Sequence, residues 1–151
     1  MPVYSNEKRG STNYKILVVD DNNAHLQLME TWLNESGFSV VAVHDGYEAI
    51  GIFQKDLFDL VLTNICRPGI NGNILAQFVH AFSKEIPVIA VTASPYLAGP
   101  DFDLVLSKPY ELEGLVNSLQ YVLQKIPPAS SNLNSNKHKL LHQLQEFEHG
   151  H

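Results

Sequence analysis

Hydrophobic residues along the chain form five short runs, separated by segments in which apolar residues recur every three or four positions. The runs are rich in β-branched residues, and they cover residues 15–19, 38–43, 59–63, 86–91 and 104–106. Continuous apolar runs of this length are typical of strands that are buried on both faces of a parallel sheet. The segments between them have the spacing of amphipathic helices. This alternation predicts an α/β fold with right-handed crossovers.

Five strands in this order predict a flavodoxin-like, doubly wound sheet with (βα)5 topology. One connection departs from that pattern. Only residues 94–102 separate the fourth strand region from the fifth, and they include Pro95, Gly99 and Pro100. A helix of about 10–14 residues with its loops does not fit into this segment. We therefore expect the helix after the fourth strand to be shortened or missing.

The ends of the chain differ in composition from its middle. We interpret residues 1–13 as a flexible N-terminal arm and residues 14–126 as one domain. Residues 127–151 begin with a linker rich in proline, serine and asparagine. A short amphipathic tail follows, and a homodimer formed through it is a hypothesis. The apolar residues of this tail are Leu140, Leu141, Leu144 and Phe147.

Composition narrows the class of protein. Of the 151 residues, 44% are hydrophobic and 17% are charged, which is typical of a soluble globular protein. No apolar run approaches the roughly 18 residues of a membrane span. The net charge is −6 and no basic stripe is present, which argues against nucleic acid binding. A protein is therefore the expected partner. The single cysteine, Cys66, and the polar N-terminus lead us to expect a cytoplasmic protein.

Polar residues follow the predicted strands directly. They are Asp20, Asp21, Asn64, Thr92 and Lys108. Because the carboxyl ends of parallel strands lie at one edge of a sheet, we expect these side chains to converge on one rim. Two carboxylates about 4 Å apart repel by about 4 kcal/mol at an effective dielectric of about 20. A hard divalent ion such as Mg2+, which prefers oxygen ligands, would relieve that repulsion.

Each of these residues also has a simpler interpretation. Asp20 and Asp21 could belong to a polar turn that caps the following helix. Thr92 could merely end a β-rich strand. Lys108 could be a solvated surface charge, although the proline after it favours an extended backbone. The occurrence of all of them at strand ends favours a functional rim.

Four stretches of the sequence resemble the receiver domain of bacterial response regulators, including the single-domain chemotaxis type. They are Ile-Leu-Val-Val-Asp-Asp at 16–21, the segment from Phe58 to Gly72, Val-Ile-Ala-Val-Thr-Ala at 88–93, and Leu-Ser-Lys-Pro-Tyr at 106–110. The resemblance extends over residues 14–126. It implies a two-component signalling module in which an aspartate accepts a phosphoryl group from a kinase histidine.

The resemblance also implies roles for individual residues. Asp20 and Asp21 match the acidic pair that binds Mg2+, and the carbonyl of Cys66 matches a further metal ligand. Thr92 matches the hydroxyl that turns toward the phosphoryl group. Lys108 matches the lysine that pairs with the phosphate or with the acceptor carboxylate. The peptide bond between Lys108 and Pro109 is expected to be cis.

Asn64 stands where the family has its acceptor aspartate. A carboxamide is a neutral, poor nucleophile, so an acyl phosphate cannot form there by the usual route. Loss of one anion should also weaken Mg2+ binding. We expect the amide of Asn64 to hydrogen-bond Lys108 or Asp21 instead.

Three further positions depart from the family. Val105 occupies the place of the switch tyrosine or phenylalanine, so the usual inward rotation of that ring is lost. The segment 94–102 is short where the family builds part of its output surface. Arg67 stands at a position that is commonly apolar. These changes indicate that the ordinary phosphorylation switch is lost or altered.

The leading hypothesis is therefore a pseudo-receiver, without enzymatic activity, that binds a histidine kinase, a phosphotransfer protein or an output protein. One alternative is an ordinary receiver that carries an engineered Asp→Asn change at residue 64. Another is a haloacid-dehalogenase-like phosphatase, which is disfavoured because Asn22 stands where that family has a second aspartate. A flavin mononucleotide binder is disfavoured by the acidic first loop, which would repel a phosphate.

Overall fold

A computed structural model describes residues 13–67 and 69–125, and a five-stranded parallel sheet forms its centre. The strand order is β2-β1-β3-β4-β5. The strands are β1 (Lys15–Val19), β2 (Ser39–Val43), β3 (Leu60–Thr63), β4 (Val88–Thr92) and β5 (Leu104–Ser107). Pro87 lacks the N–H that a ladder needs, which explains why β4 begins at Val88 rather than at residue 86. The predicted doubly wound α/β fold is confirmed.

The described residues form four α-helices, three of which connect strands while the fourth follows β5, and three of them begin at a polar cap. The helices are α1 (Asn23–Glu35), α2 (Gly46–Lys55), α3 (Gly72–Phe82) and α4 (Leu112–Gln124). The side chains of Asn22, Asp45 and Asn71 accept hydrogen bonds from backbone N–H groups in the first turns of α1, α2 and α3. These caps satisfy donors that the helix itself leaves unpaired, so they define where each helix starts.

Two hydrophobic layers cover the two faces of the sheet. On one face α1 and α4 pack against alternate strand residues such as Ile16 and Leu62. On the other face α2 and α3 pack against residues such as Leu17 and Val61. Because both faces are covered, the strands are apolar throughout their length, which is the pattern seen in the sequence.

The connection after β4 is a single 3-10 turn, Pro95–Leu97, and no α-helix stands there. This confirms the shortened segment predicted from the sequence. Asn73, in the first turn of α3, holds the segment in place. Its side-chain amide donates to the Leu97 carbonyl at 3.0 Å, and its amide oxygen accepts from Gly99 N at 2.7 Å.

Several predictions made from the sequence fall on other parts of the chain. The N-terminal arm is described only at residue 13, and the linker and tail at 127–151 lie outside the described residues. The domain limits at 14 and 126 therefore stay predictions. Within residues 13–67 and 69–125, no helix is long and apolar enough to span a membrane.

The start of α3 approaches the end of β3 closely at Gly72. A Cβ atom on Gly72 would lie 2.3 Å from the carbonyl oxygen of Asn64 and 2.9 Å from Cα of Ile65. The N–H of Gly72 also donates to the Ile65 carbonyl at 2.9 Å. The backbone that carries Asn64 is therefore fixed by a contact that only glycine allows.

We expect Gly72→Ala to lower the free energy of unfolding by about 2 to 3 kcal/mol, because backbone must move to admit the methyl group. Gly51→Ala is the matched control. Gly51 lies within α2 with nothing near its missing Cβ, so alanine should stabilise the protein by about 0.5 to 1 kcal/mol. Urea denaturation of the three proteins measures both effects. Equal stability of Gly72→Ala and wild type would contradict the close approach.

Candidate functional site

The carboxyl ends of the strands form one rim, and backbone hydrogen bonds continue the ladders into it. Asn64 N donates to the Val19 carbonyl at 3.1 Å, which places Asn64 beside Asp20 at the ends of β3 and β1. Lys108 N donates to the Thr92 carbonyl at 2.8 Å, which sets those two residues side by side. The five residues predicted to converge thus follow adjacent parallel strands at the same edge.

The side-chain amide of Asn64 links the two acidic residues. Its Nδ2 donates to Oδ1 of Asp21 at 2.9 Å and more weakly to Oδ1 of Asp20 at 3.4 Å. Asp21 was one of the two partners expected for this amide. The other was Lys108, whose ammonium makes no hydrogen bond or ion pair within the part of the chain that the structure describes. The Lys108–Pro109 bond is cis, as expected.

Arg67 is the largest departure from expectation, because its side chain lies inside the rim. Only 9% of Arg67 is exposed. Its Nη1 donates to Thr63 Oγ1 and to the Asn64 carbonyl, both at 2.9 Å, and also to Oδ1 of Asn64. Both ends of the Asn64 amide are therefore engaged, the nitrogen by carboxylates and the oxygen by a guanidinium.

Burial and nearby acids act in opposite directions on the Arg67 guanidinium. Burial lowers its pKa, and the carboxylates of Asp21, Asp20 and Asp45 raise it. Because an arginine side chain stays protonated in proteins, a full positive charge lies within the field of these acids, although among the described residues its hydrogen bonds go to Thr63 and Asn64 and not to a carboxylate. Its Nε and Nη2 are buried without a hydrogen-bond partner among the described residues.

Asp20 is held by a chain of hydrogen bonds that passes through His25 to Tyr110. The residue is 3% exposed, and its Oδ1 accepts from Asn22 N at 2.9 Å. Its Oδ2 bonds Nδ1 of His25, whose Nε2 lies 2.6 Å from the Tyr110 hydroxyl. That hydroxyl also lies 3.1 Å from Sδ of Met29. Both carboxylate oxygens of Asp20 thus have protein partners.

The pKa of Tyr110 is raised to about 12 from its ordinary value of 10.0. Burial of the ring contributes most, since it disfavours the phenolate. The carboxylate of Asp20 adds a smaller effect in the same direction, because it would repel a second negative charge.

The remaining predicted site residues, Thr92, Val105 and Cys66, make no side-chain hydrogen bond to Asp20, Asp21 or Asn64 among the described residues. The hydroxyl of Thr92 accepts from Ser94 N at 2.9 Å and so closes the turn after β4. Val105 lies on β5 in register with Ala90 of β4 and is half-buried. The thiol of Cys66 is exposed. Their roles in a switch or a metal site stay predictions.

Asp20 and Asp21 supply the kind of oxygen that Mg2+ prefers, but most of these oxygens already have protein partners. Both oxygens of Asp20 are engaged by protein donors, and one oxygen of Asp21 accepts from Asn64. The buried guanidinium of Arg67 adds a like charge. Among residues 13–67 and 69–125, no group of three or more His, Cys, Asp or Glu could hold a metal. A magnesium ion would first have to displace these partners.

Three members of the site were not predicted from the sequence. They are the buried side chain of Arg67, His25 and Tyr110. Arg67 carried a signal, because its charge stood where the resemblance led us to expect an apolar residue. His25 carried none, since a histidine in the first turn of a helix is ordinarily solvated. Tyr110 lies next to Lys108 and Pro109, but nothing in its spacing indicated a contact with His25.

Comparison with known sequences gives one consistent result. The family model described as response regulator receiver domain matches residues 16–120. The yeast transcription factor SKN7 is 31% identical over 128 residues, which are 80% of this chain and 20% of SKN7. The sensor protein GacS of Pseudomonas syringae is 39% identical over 84 residues, 52% of this chain and 9% of GacS. The response regulator MprA of Mycobacterium avium is 30% identical, with 76% and 53% covered. The chain thus spans about half or less of these relatives.

Solved structures agree with the sequence matches. Response regulator TrrA of Thermotoga maritima, in complex with Mg2+-BeF, aligns with a TM-score of 0.68 and 27% identity over 72% of this chain and 98% of TrrA. The receiver domain of sensor kinase PA1611 of Pseudomonas aeruginosa, with a coordinated magnesium ion, aligns with a TM-score of 0.69 and 25% identity. The alignment covers 76% of this chain and 100% of that domain. CheY4 of Vibrio cholerae aligns with a TM-score of 0.66 and 28% identity, over 74% of this chain and 99% of CheY4.

Replacement of Tyr110 by phenylalanine should change how stability depends on pH. A folded pKa of about 12 lies above the ordinary 10.0, so this tyrosine stabilises the fold fully below pH 10 and loses that contribution toward pH 12. At pH 8 the variant should be about 1 kcal/mol less stable than wild type, because a hydrogen bond is lost. Near pH 11 that difference should shrink by about 1 kcal/mol.

Urea denaturation of wild type and Tyr110→Phe at both pH values measures this change. The comparison between the two proteins removes the titration of every other group, since only residue 110 differs. If the stabilities of wild type and variant fall in parallel between the two pH values, the raised pKa of Tyr110 is wrong.

Proposed function

Because this chain belongs to the response regulator receiver domain family of two-component signalling, we propose that it works as a receiver that is not switched by phosphorylation of residue 64. The observation that carries this proposal is the engagement of both ends of the Asn64 amide. Its nitrogen donates to Asp21, and its oxygen accepts from Arg67. A neutral amide held in this way offers no anionic nucleophile to a phosphoryl donor.

We also propose that Mg2+ binds more weakly here than in the relatives that hold it. TrrA was solved with Mg2+-BeF and the PA1611 receiver with a magnesium ion in its cleft. In this chain Asn64 removes one negative charge from the rim, and Arg67 adds a positive one. Both changes oppose a divalent cation, because each raises the electrostatic cost of placing it there.

The action that follows is protein binding rather than enzymatic turnover. Relatives of the chain include a sensor protein and a transcription factor, in which the matched region is a small part of the whole. We propose a histidine kinase, a phosphotransfer protein or an output protein as the partner. The net charge of −6 disfavours nucleic acid as the partner. The exposed thiol of Cys66 is consistent with a reducing, cytoplasmic setting.

A surface for such a partner lies beside the shortened connection. Ile74 on α3 and Leu97 on the 3-10 turn are each more than 40% exposed, at 46% and 43%, and Tyr96 is 83% exposed. Asn73 ties this turn to α3, so the three side chains belong to one clamped region. Large exposed apolar side chains on a backbone that is held in place favour recognition of another protein.

The central prediction is that purified protein incubated with acetyl phosphate and Mg2+ gains no phosphoryl group. Intact-mass spectrometry measures incorporation, and peptide mapping locates any adduct. Stable incorporation at the rim, whether on Asp20, Asp21 or Asn64, would overturn the proposal. Turnover of a generic phosphate ester by the same sample would instead support the phosphatase alternative.

The matched control is Asn64→Asp, which restores an anionic oxygen on the same backbone. If this single change gives full phosphoryl acceptance, the alternative of an ordinary receiver with an engineered asparagine is favoured. We expect little acceptance from it, because the Arg67 guanidinium already points at this side chain. Circular dichroism of both proteins checks that the comparison is between folded samples.

A further inference from the structure

We propose that Arg67 is the resident cation of the rim and that it takes the place of a divalent metal ion. This inference rests on the proposed function, since it explains how the rim persists without the usual chemistry. It goes further by assigning the exclusion of Mg2+ mainly to Arg67, rather than to Asn64 alone.

The geometry holds the guanidinium in a fixed position. A single nitrogen, Nη1, donates to three oxygens: the hydroxyl of Thr63, the carbonyl of Asn64 and the side-chain oxygen of Asn64. Thr63 and Asn64 belong to the end of β3, which is buried and paired on both sides. The inward position of Arg67 is therefore fixed, because the sheet holds the residues that accept its hydrogen bonds.

The charges at the rim are consistent with replacement of a metal. Leaving aside Lys108, which both arrangements share, Asp20 and Asp21 together with Arg67 carry a net charge of −1. Three carboxylates around a divalent ion leave the same charge. With Asn64 and Arg67 the rim therefore has, without a metal ion, the same net charge that a rim with an acceptor aspartate has when a divalent ion is bound. Asp45, at the cap of α2, adds to the field that holds the guanidinium.

A carboxylate at residue 64 would stand beside a guanidinium whose hydrogen-bonding capacity is not fully used. Nε and Nη2 are buried without acceptors among the described residues, which is costly for a charged group. A carboxylate in place of the Asn64 amide would stand beside Nη1 and could accept from the guanidinium in a charge-assisted bond. Asn64→Asp alone should therefore create an ion pair with Arg67 rather than a metal site.

The test compares Mg2+ affinity in four proteins: wild type, Asn64→Asp, Arg67→Gln and the double variant. Glutamine is neutral and polar, and its amide nitrogen stands where arginine has Nε, two bonds short of the Nη1 that contacts Asn64 and Thr63. Titration calorimetry with MgCl2 at constant ionic strength measures the affinity. Each glutamine variant should bind Mg2+ at least about tenfold more tightly than its arginine parent, because a positive charge near the ion is removed.

Arg67→Lys is the control that separates charge from shape. It retains the positive charge but loses the planar fork, so its Mg2+ affinity should stay within about threefold of wild type. If Arg67→Lys binds Mg2+ as tightly as Arg67→Gln, bulk rather than charge excludes the ion, and the inference is wrong. Equal affinity in Asn64→Asp and the double variant would also overturn it.

Folding of the variants is checked by circular dichroism and thermal unfolding without metal. Should Arg67→Gln fail to fold, Arg67→Met supplies a neutral side chain of similar length for the same comparison. Asn64→Asp alone provides a further check that needs no change at Arg67. Its affinity for Mg2+ should stay more than about tenfold below that of the PA1611 receiver, which holds magnesium in its cleft. An affinity equal to that receiver's would contradict the inference.

The outcome is separate from that of the phosphorylation experiment, because no phosphoryl donor is present. Mg2+ binding by wild type at the strength of the double variant would remove the resident-cation inference. It would leave the proposed phosphorylation-independent function standing, since that depends on the amide of Asn64. Conversely, if wild type is phosphorylated but binds Mg2+ weakly, the proposed function is wrong, whereas the role of Arg67 as the resident cation is supported.

Discussion

The burial of one positive charge at the end of β3 is the constraint on which the rest of the rim depends. Arg67 can remain inside only because oxygen atoms of Thr63 and Asn64 accept its hydrogen bonds and nearby acids favour its charge. Removal of the acids would leave a buried cation uncompensated, and removal of the cation would leave two close carboxylates to repel each other. The acidic pair, the amide and the guanidinium are therefore stable only as a set.

The sheet supplies the positions that this set needs. Parallel strands bring Asp20 and Asn64 to one edge, and the backbone bond from Asn64 to Val19 continues the ladder beyond the last strand residue. The close approach of Gly72 then fixes the backbone of Asn64 from the other side. Because the main chain is held on both sides, the amide of Asn64 is presented in one orientation to both its acidic and its basic neighbours.

Much of this arrangement could be predicted from the sequence because it follows from local rules. Apolar runs of strand length, cap residues such as Asp45 and the short proline-containing segment after β4 each depend on nearby residues only. The convergence of Asp20 and Asn64 followed from the topology of parallel sheets. The inward turn of Arg67 did not, because a charged residue in a loop is ordinarily solvated. The contact of His25 with Tyr110 joins residues 85 positions apart, and no local pattern encodes it.

The fit between Asn64 and Arg67 also bears on whether Asn64 could be a single isolated change in the rim. An arginine at 67 beside an acceptor aspartate would compete with Mg2+ for that carboxylate, so it would oppose the chemistry of an ordinary receiver. An asparagine at 64 in a receiver with an apolar residue at 67 would leave its amide oxygen without the donor it has here. Each residue is thus poorly suited to the rim without the other. Their joint presence, together with Val105 and the single 3-10 turn after β4, favours divergence of the whole site over one isolated change.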